Sequence, residues 1–297
     1  MFFLGKIAAV FFAWGAYAVL RLVGWKRKTV MANAKHVAMP VDYNVLLKNL
    51  TRHASELLFR FGTFKRLPAD FSKYPCCVDG WTFDIAEGSA PVLEKMRKGG
   101  IFLTAHYGNY EAMGPWLCRL GIPLVASYIP VKPKWLNNIL ERKIRAVDGR
   151  SYSVDARTPR DFLRILNDGK LFCLLSDQDS RIPSALPGTL LGQPANVNPL
   201  PDFLLEHRPQ TPVFICWMEE VCGVRVLHAI EVERAQVPGA AHLVSPAPSN
   251  GASPADSNIV NTQFNKWLEQ RILENPNLWY SFTHRRFYSR SPEIYGG

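Results

Sequence analysis

The sequence GGIFLTAHYGNYE, residues 99–111, carries the clearest signal of how this chain folds. Two glycines end a predicted helix over 87–98, because glycine stops helices and frees the backbone to turn. The apolar run 101–105 then has the length and content of a buried strand. The polar residues that follow contain Asn109, a good helix N-cap, so a second helix is expected to start there.

The same alternation of strand and helix continues on both sides of this stretch. The apolar runs 123–129, 171–175 and 213–218 are further candidate strands. Apolar spacing and caps predict helices over 42–61, 134–147, 158–166, 201–206 and 258–273, and a long surface loop is expected over 236–257. Strands that alternate with helices indicate an α/β fold, with a central, largely parallel or mixed sheet flanked by helices.

Composition excludes several classes of protein. The chain has 297 residues, of which 47% are hydrophobic and 12% aromatic, which is ample for a packed core and excludes general disorder. Its six cysteines include an adjacent pair but no C-x-x-C, so neither a zinc knuckle nor a disulfide framework is expected. G-x-S-x-G, H-E-x-x-H, G-x-G-x-x-G and the P-loop are absent from the sequence, which removes the obvious serine-hydrolase, zinc, dinucleotide and nucleotide-phosphate sites.

Positive charge is concentrated in two segments. The formal net charge is +10; residues 1–66 hold 11 cations against 2 acids, and residues 132–164 hold 9 against 4. Such segments indicate anionic partners: lipid head groups, nucleic acid or an acidic protein. Nucleic acid is the weaker choice, because the chain has no RNA-recognition signature and no zinc finger.

The N-terminus predicts a membrane anchor. Residues 2–25 are apolar apart from Lys6 and Arg21, and these two can extend toward the interfaces, giving a helix of about 24 residues and about 36 Å. The cluster Lys26-Arg27-Lys28 is expected to keep the following chain on the cytoplasmic side. The helix either spans the bilayer or lies in the interface; a cleaved signal peptide ending at Ala16-Tyr17-Ala18 and a buried core helix remain alternatives. We therefore divide the chain into an anchor (1–25), a basic amphipathic helical segment (26–75) and an α/β domain (76–297).

Two strand ends carry residues capable of chemistry. His106 follows the strand at 101–105, and Asp177-Gln178 follows the strand at 171–175. In open α/β sheets, reactive groups gather at the carboxyl ends of strands. A helix that starts near Asn109 would let Glu111 accept a hydrogen bond from one imidazole nitrogen of His106 and leave the other free as a general base. A base without a protein nucleophile suggests activation of a substrate hydroxyl, and the anchor suggests that this hydroxyl belongs to a lipid.

The segment His106-Tyr107-Gly108-Asn109-Tyr110-Glu111 resembles the H-x4-E motif of glycerolipid acyltransferases. It is most similar to the form found in the bacterial late acyltransferases of lipid A biosynthesis, the lauroyl/myristoyl type. Further matches follow in the order of that family, over nearly the whole chain from about residue 1 to 288: Asn33, Pro40, Gly99-Gly100, Asp177-Gln178, Gly192-Gln193-Pro194-Ala195, Leu268-Glu269, Ile272, Pro276, Trp279 and His284-Arg285-Arg286.

The resemblance implies an acyltransferase of lipopolysaccharide biosynthesis on the cytoplasmic face of the bacterial inner membrane, with a glycerolipid acyltransferase-like fold. Its donor would be an acyl thioester on acyl carrier protein and its acceptor a hydroxyl of a lipid A precursor, with no metal, no cofactor and no covalent acyl-enzyme. His106 would be the general base and Glu111 its orienting partner. Substrate-binding roles fall to Gly108 and Asn109, whose N–H groups are oxyanion candidates, and to Arg145, Arg150, Asp177 and Gln178.

Departures from the family pattern leave alternatives open. Tyr110 replaces a tryptophan, and Leu190-Leu191 replaces an aromatic pair, so the acyl chain length and the acceptor are open. Another glycolipid acceptor, such as a phosphatidylinositol mannoside, is the nearest alternative. Hydrolysis of the thioester and a non-catalytic lipid-binding role are the other two.

Overall fold

The computed structural model describes residues 2–128, 132–233 and 259–296, and its centre is an eight-stranded mixed sheet. The strands are β1 Cys76–Val78, β2 Trp81–Ile85, β3 Gly100–Thr104, β4 Leu124–Ser127, β5 Ala146–Val147, β6 Arg150–Ser151, β7 Ser153–Val154, β8 Leu171–Leu175, β9 Leu186–Leu190, β10 Gln193–Val197, β11 Val213–Val221 and β12 Val224–Glu231. The order in the large sheet is β1-β2-β12-β11-β3-β8-β4-β7. The run β11-β3-β8-β4-β7 is parallel throughout; β12 is antiparallel to β11 and parallel to β2, and β1 and β2 form an antiparallel hairpin.

Helices cover both faces of this sheet. They are α1 Phe2–Leu22, α2 Arg27–His36, α3 Tyr43–Phe64, α4 Ser89–Met96, α5 Tyr110–Arg119, α6 Lys134–Ile139, α7 Pro159–Asn167, α8 Leu200–His207 and α9 Ile259–Glu274. Side chains alternate between the two faces along β3: Ile101 and Leu103 belong to the core beneath α2 and α9, and Phe102 to the core beneath α4 and α5. Because β3 is buried on both faces, it is apolar at every position rather than at every second one.

The prediction of an α/β fold with a largely parallel or mixed sheet is confirmed. The four predicted strands are observed, with β8 at the predicted residues and β11 three residues longer. The helix predicted over 134–147 is only partly right: α6 ends at Ile139, a wider π-helical turn follows over Leu140–Ile144, and the chain then enters the β5–β6 hairpin. The hairpin strands β1, β2, β9, β10 and β12 were not predicted. The loop expected over 236–257 lies outside the described residues.

The N-terminal helix α1 lies along α3 and presents apolar side chains outward. The rings of Phe12 and Phe59 lie 5.4 Å apart, and Lys48 lies 5.5 Å from the ring of Tyr17, so the two helices run antiparallel. Residues 5–22 are long and apolar enough to cross a membrane, a property shared with signal sequences and buried helices, and 11% of them are buried. Phe11 is 74% exposed, so this helix is not a core helix of the domain.

Candidate functional site

The site is built at the carboxyl edge of the sheet by two neighbouring strands. Thr104 and Leu175, the last residues of β3 and β8, are register partners in a parallel ladder. Parallel strands that end side by side bring the residues that follow them together, so His106 and Asp177 meet although 71 positions separate them in the chain. The structure thus joins the two strand-end clusters that the sequence indicated.

Asp177 fixes both the position and the tautomer of His106. Its Oδ1 lies 2.8 Å from His106 Nδ1, and its Oδ2 accepts from the His106 backbone N–H at 3.0 Å. The aspartate is fully buried, whereas the imidazole is 18% exposed. Among the described residues His106 Nε2 has no hydrogen-bond partner, so with the proton on Nδ1 this nitrogen is a free base.

The electrostatics of the pair follow from burial and attraction. Burial alone would raise the pKa of Asp177, but His106 and the hydrogen bonds to the carboxylate hold that pKa well below its usual range. Burial would lower the pKa of His106, but the Asp177 charge, with a smaller contribution from Glu111, raises it above the ordinary histidine value. The pair is therefore stabilised in its charged form, as expected for a carboxylate that supports an imidazolium.

The predicted contact between His106 and Glu111 is not formed, and this expectation was wrong. Glu111 pairs instead with Arg145, with Oε1 2.6 Å from Nη2 and Oε2 3.3 Å from Nε. Two causes explain the difference. Asp177 already occupies Nδ1 of His106, and the forked guanidinium matches a carboxylate in a two-point geometry that an imidazole cannot offer. Glu111 acts on His106 only through its charge.

The turn between His106 and α5 depends on Gly108. Its φ is +58°, and a Cβ there would lie 2.7 Å from the Met218 carbonyl oxygen, so a side chain is excluded by both conformation and space. The Gly108 N–H donates to the Leu278 carbonyl at 2.9 Å. It is therefore not available as an oxyanion donor, which corrects that expectation, whereas the Asn109 N–H has no acceptor among the described residues.

The side chain of Asn109 is held by a buried network that the sequence did not reveal. Its Nδ2 donates to Glu56 of α3 at 2.9 Å, and the other oxygen of Glu56 accepts from Arg225 of β12 at 2.9 Å. Burial raises the pKa of Glu56, and the Arg225 charge opposes that shift. No motif marks Glu56; its only signal is that it is the single acid after Asp42 in the cation-bearing amphipathic helix 42–61.

The chain after α9 completes the surroundings of Asp177. Trp279 Nε1 and Ser281 Oγ donate to Asp177 Oδ2 at 2.9 and 2.7 Å, and the Tyr280 N–H donates to the His106 carbonyl at 2.8 Å. Asn33 of α2 fixes this segment by donating to the carbonyls of Phe282 and His284. The sequence analysis did not predict Ser281 as a site residue; its hydrogen bond to Asp177 makes it part of the site.

The other residues predicted for the site lie in different environments. Arg150 is exposed on β6 and makes no ion pair with the described part of the chain, so it does not join the site. Gln178 follows Asp177 and is half-buried. The ring of Tyr110 lies 4.9 Å from that of His106, centroid to centroid. Tyr110, Glu111 and Arg145 line a cavity of about 80 Å³ whose inner wall is mostly apolar.

No protein-family model matches the chain, and no curated protein matches it. The resemblance to lipid A late acyltransferases therefore rests on its sequence motifs alone.

Proposed function

We propose that the protein is a membrane-associated O-acyltransferase that moves an acyl chain from a thioester donor to a lipid hydroxyl. The observation that carries the proposal is the pair of His106 and Asp177, with Nδ1 engaged and Nε2 free. A histidine oriented by a buried carboxylate is the usual arrangement of a general base. The H-x4-E and D-Q motifs, in family order, support acyl transfer as the reaction.

The reaction follows from this base. His106 Nε2 takes the proton of the acceptor hydroxyl as its oxygen attacks the thioester carbonyl carbon, and Asp177 stabilises the imidazolium that forms. The tetrahedral intermediate collapses when the C–S bond breaks, the ester remains on the acceptor, and the proton on His106 passes to the departing thiolate. The Asn109 N–H, beside the first turn of α5, is the remaining backbone candidate for stabilising the oxyanion.

The small cavity bordered by Tyr110, whose ring lies 4.9 Å from that of His106, is proposed to receive part of the donor. Its wall includes Phe102, Met113 and Leu124, which are apolar, while Glu111 and Arg145 also line it. Arg145 keeps one terminal nitrogen, Nη1, buried and without an acceptor among the described residues. We assign the apolar wall to the acyl chain and Arg145 to the polar end of a substrate, and we assign the basic segment 132–164 to the acidic carrier protein.

The acceptor follows from the family likeness rather than from a pocket. We propose that the acceptor is a lipid A precursor at the cytoplasmic face of the inner membrane. The protein would reach it because α1 attaches the protein to the bilayer. The apolar side chains that α1 exposes support attachment, and its packing along the cation-rich helix α3 favours a helix that lies in the interface.

The test is His106→Gln, assayed with an acyl carrier protein thioester and a lipid A precursor. We expect turnover to fall by about a thousandfold, the range that loss of a general base produces, with unchanged unfolding and membrane binding. Thioester loss that the acceptor does not accelerate would identify a hydrolase instead. Undiminished turnover in the variant would refute the mechanism. A lipid A that keeps all its acyl chains after deletion of the gene would refute the proposed acceptor.

A further inference from the structure

A groove between α1 and α3 lies apart from His106 and Asp177. Its volume is about 410 Å³. Apart from Lys6, the α1 side is apolar, and the α3 side carries cations. The lining from α1 is Lys6, Ala9, Val10, Ala13, Trp14 and Tyr17, and α3 contributes Lys48, Thr51, Arg52, Ser55, Glu56 and Arg60. From Lys6 to Tyr17 the groove follows α1 for about 17 Å, at 1.5 Å per residue.

The positive charge in this groove is only partly balanced within the described chain, because Arg52 pairs with Glu220. Its one acidic lining residue is Glu56, whose two oxygens are taken by Asn109 and Arg225. Lys6 and Lys48 form no ion pair with any described residue. Lys48 lies over the rings of Trp14 and Tyr17, at 5.9 and 5.5 Å from their centroids. The groove therefore offers positive charge to an anion.

Two of the cations, Lys48 and Arg52, line the groove from α3. Lys48 and Arg52 are four residues apart and thus on the same face of α3. Arg52 uses Nη1 to reach Glu220 at 3.1 Å, but its Nε–H is buried and has no acceptor among the residues described. A phosphate oxygen is a suitable acceptor for such a donor.

We infer that this groove binds one molecule of an anionic phospholipid. Its phosphate lies at Lys48 and Arg52, and an acyl chain runs along Ala13, Val10 and Ala9 of α1. The apolar wall favours a lipid over free phosphate, because an inorganic ion has no apolar surface to bury against it. The inference concerns a resident membrane lipid and does not depend on acyl transfer.

The test uses native mass spectrometry of the full chain purified in a mild detergent and titrated with phosphatidylglycerol or phosphatidylcholine. We expect one phosphatidylglycerol to be retained and phosphatidylcholine not. Lys48→Glu should weaken that binding at least tenfold and Lys48→Arg should retain it, because a cation near an anionic head group contributes about a factor of five and reversal adds repulsion. The matched control is Lys98→Glu, an exposed lysine before β3 at the opposite edge of the sheet from the site.

Three outcomes would overturn the inference: equal retention of the two lipids, equal loss in Lys48→Glu and Lys98→Glu, or displacement of the lipid by millimolar inorganic phosphate. A second measurement covers the case in which Lys48→Glu fails to fold. Phosphatidylglycerol brominated on its acyl chains should quench the tryptophan fluorescence of the unaltered protein, and Trp14→Phe should remove part of that quenching. Quenching that Trp14→Phe leaves unchanged would place the chain outside the groove.

Discussion

At the scale of single residues, the site depends on a carboxylate with no exposure to water. Asp177 accepts hydrogen bonds from the backbone and ring of His106, from Trp279 and from Ser281. Four donors compensate the loss of hydration, which is why this charge is tolerated in the interior. The two contacts with His106 hold the imidazole in one orientation, and those from Trp279 and Ser281 hold the carboxylate.

Asp177→Asn should reduce turnover by about three orders of magnitude, because the amide supports neither the Nδ1–H tautomer nor the imidazolium. The pH profile gives a second readout. In the proposed mechanism neutral His106 is the base, and its pKa is raised. We therefore expect kcat/KM of the unaltered protein to fall as the pH drops through a value above 6.5, the ordinary histidine pKa. In Asp177→Asn that inflection should move to lower pH.

The matched control for this substitution is Asp179→Asn. Asp179 accepts from Ser289 and pairs with Arg181, outside the catalytic pair. Asp179→Asn should leave the inflection of the kcat/KM pH profile at the pH found for the unaltered protein. An unchanged inflection in Asp177→Asn would show that another group titrates.

Glu111 and Arg145 form a half-buried ion pair that a double-mutant cycle can measure. Glu111→Gln and Arg145→Met should each lower the free energy of unfolding by about 2 kcal/mol, and the double variant by clearly less than their sum. If chemical denaturation shows that the two losses of unfolding free energy simply add in the double variant, the interaction between Glu111 and Arg145 contributes nothing to stability.

At the scale of elements, the turn that joins β3 to α5 sets the direction of His106. Gly108 fills a left-handed position against the Met218 carbonyl of β11, and Asn109 is tied to α3 through Glu56. The turn is thus fixed by its neighbours on two sides.

Gly108→Ala should lower the free energy of unfolding by about 3 kcal/mol or more, because a left-handed alanine costs about 1 kcal/mol and the clash with Met218 adds to it. Gly149→Ala is the control: its φ is +77° and nothing lies within 4 Å of the added Cβ. It should lose only about 1 kcal/mol. Equal losses, measured by urea denaturation, would show that the close approach to Met218 is unimportant.

The helix α3 should be sensitive to loss of its one buried acid. Glu56→Ala leaves Arg225 buried with only the longer contact to Glu220, at 3.5 Å, so we expect about 3 kcal/mol of destabilisation. Activity should fall further than folding explains, because Asn109 loses its acceptor beside the site. Full activity in the folded fraction would separate the network from catalysis.

Prediction from the sequence was best where the signal is local. Apolar runs and caps located the strands β3 and β8 and the helices α3, α5 and α7, because each depends on neighbouring residues. The pairing of His106 with Asp177 is a contact across 71 positions and needs the strand order, which periodicity does not contain. For the same reason the sequence predicted a contact between Glu111 and His106, its neighbour in the chain. It missed Arg145 as the partner of Glu111, Glu56 as the partner of Asn109, and Ser281 as a donor to Asp177.

At the scale of the whole molecule, the exposed apolar side chains of α1 and the cations of α3 lie on adjoining surfaces. Apolar insertion and attraction to anionic lipids reinforce one another at an interface. This arrangement is the basis of the proposed attachment to an anionic lipid surface.

Phe11→Asp should weaken binding to phosphatidylglycerol-containing vesicles by about tenfold or more, since a charge replaces an exposed aromatic ring on the inserting face. Thermal unfolding in detergent should be unchanged because Phe11 is exposed. Ile182→Asp, which alters another exposed apolar residue away from α1, serves as the control in the sedimentation assay. Equal binding by the two variants would exclude α1 as the attachment surface.

The position of Trp279 and Ser281 in the chain has a consequence for biosynthesis. They follow Asp177 by 102 and 104 residues, so translation of β3 and β8 is complete long before these donors leave the ribosome. A nascent chain therefore has α1 and α3 outside the ribosome while Asp177 still lacks two of its hydrogen-bond donors. In the proposed acyltransferase, this order of synthesis would place attachment to the lipid surface before completion of the site.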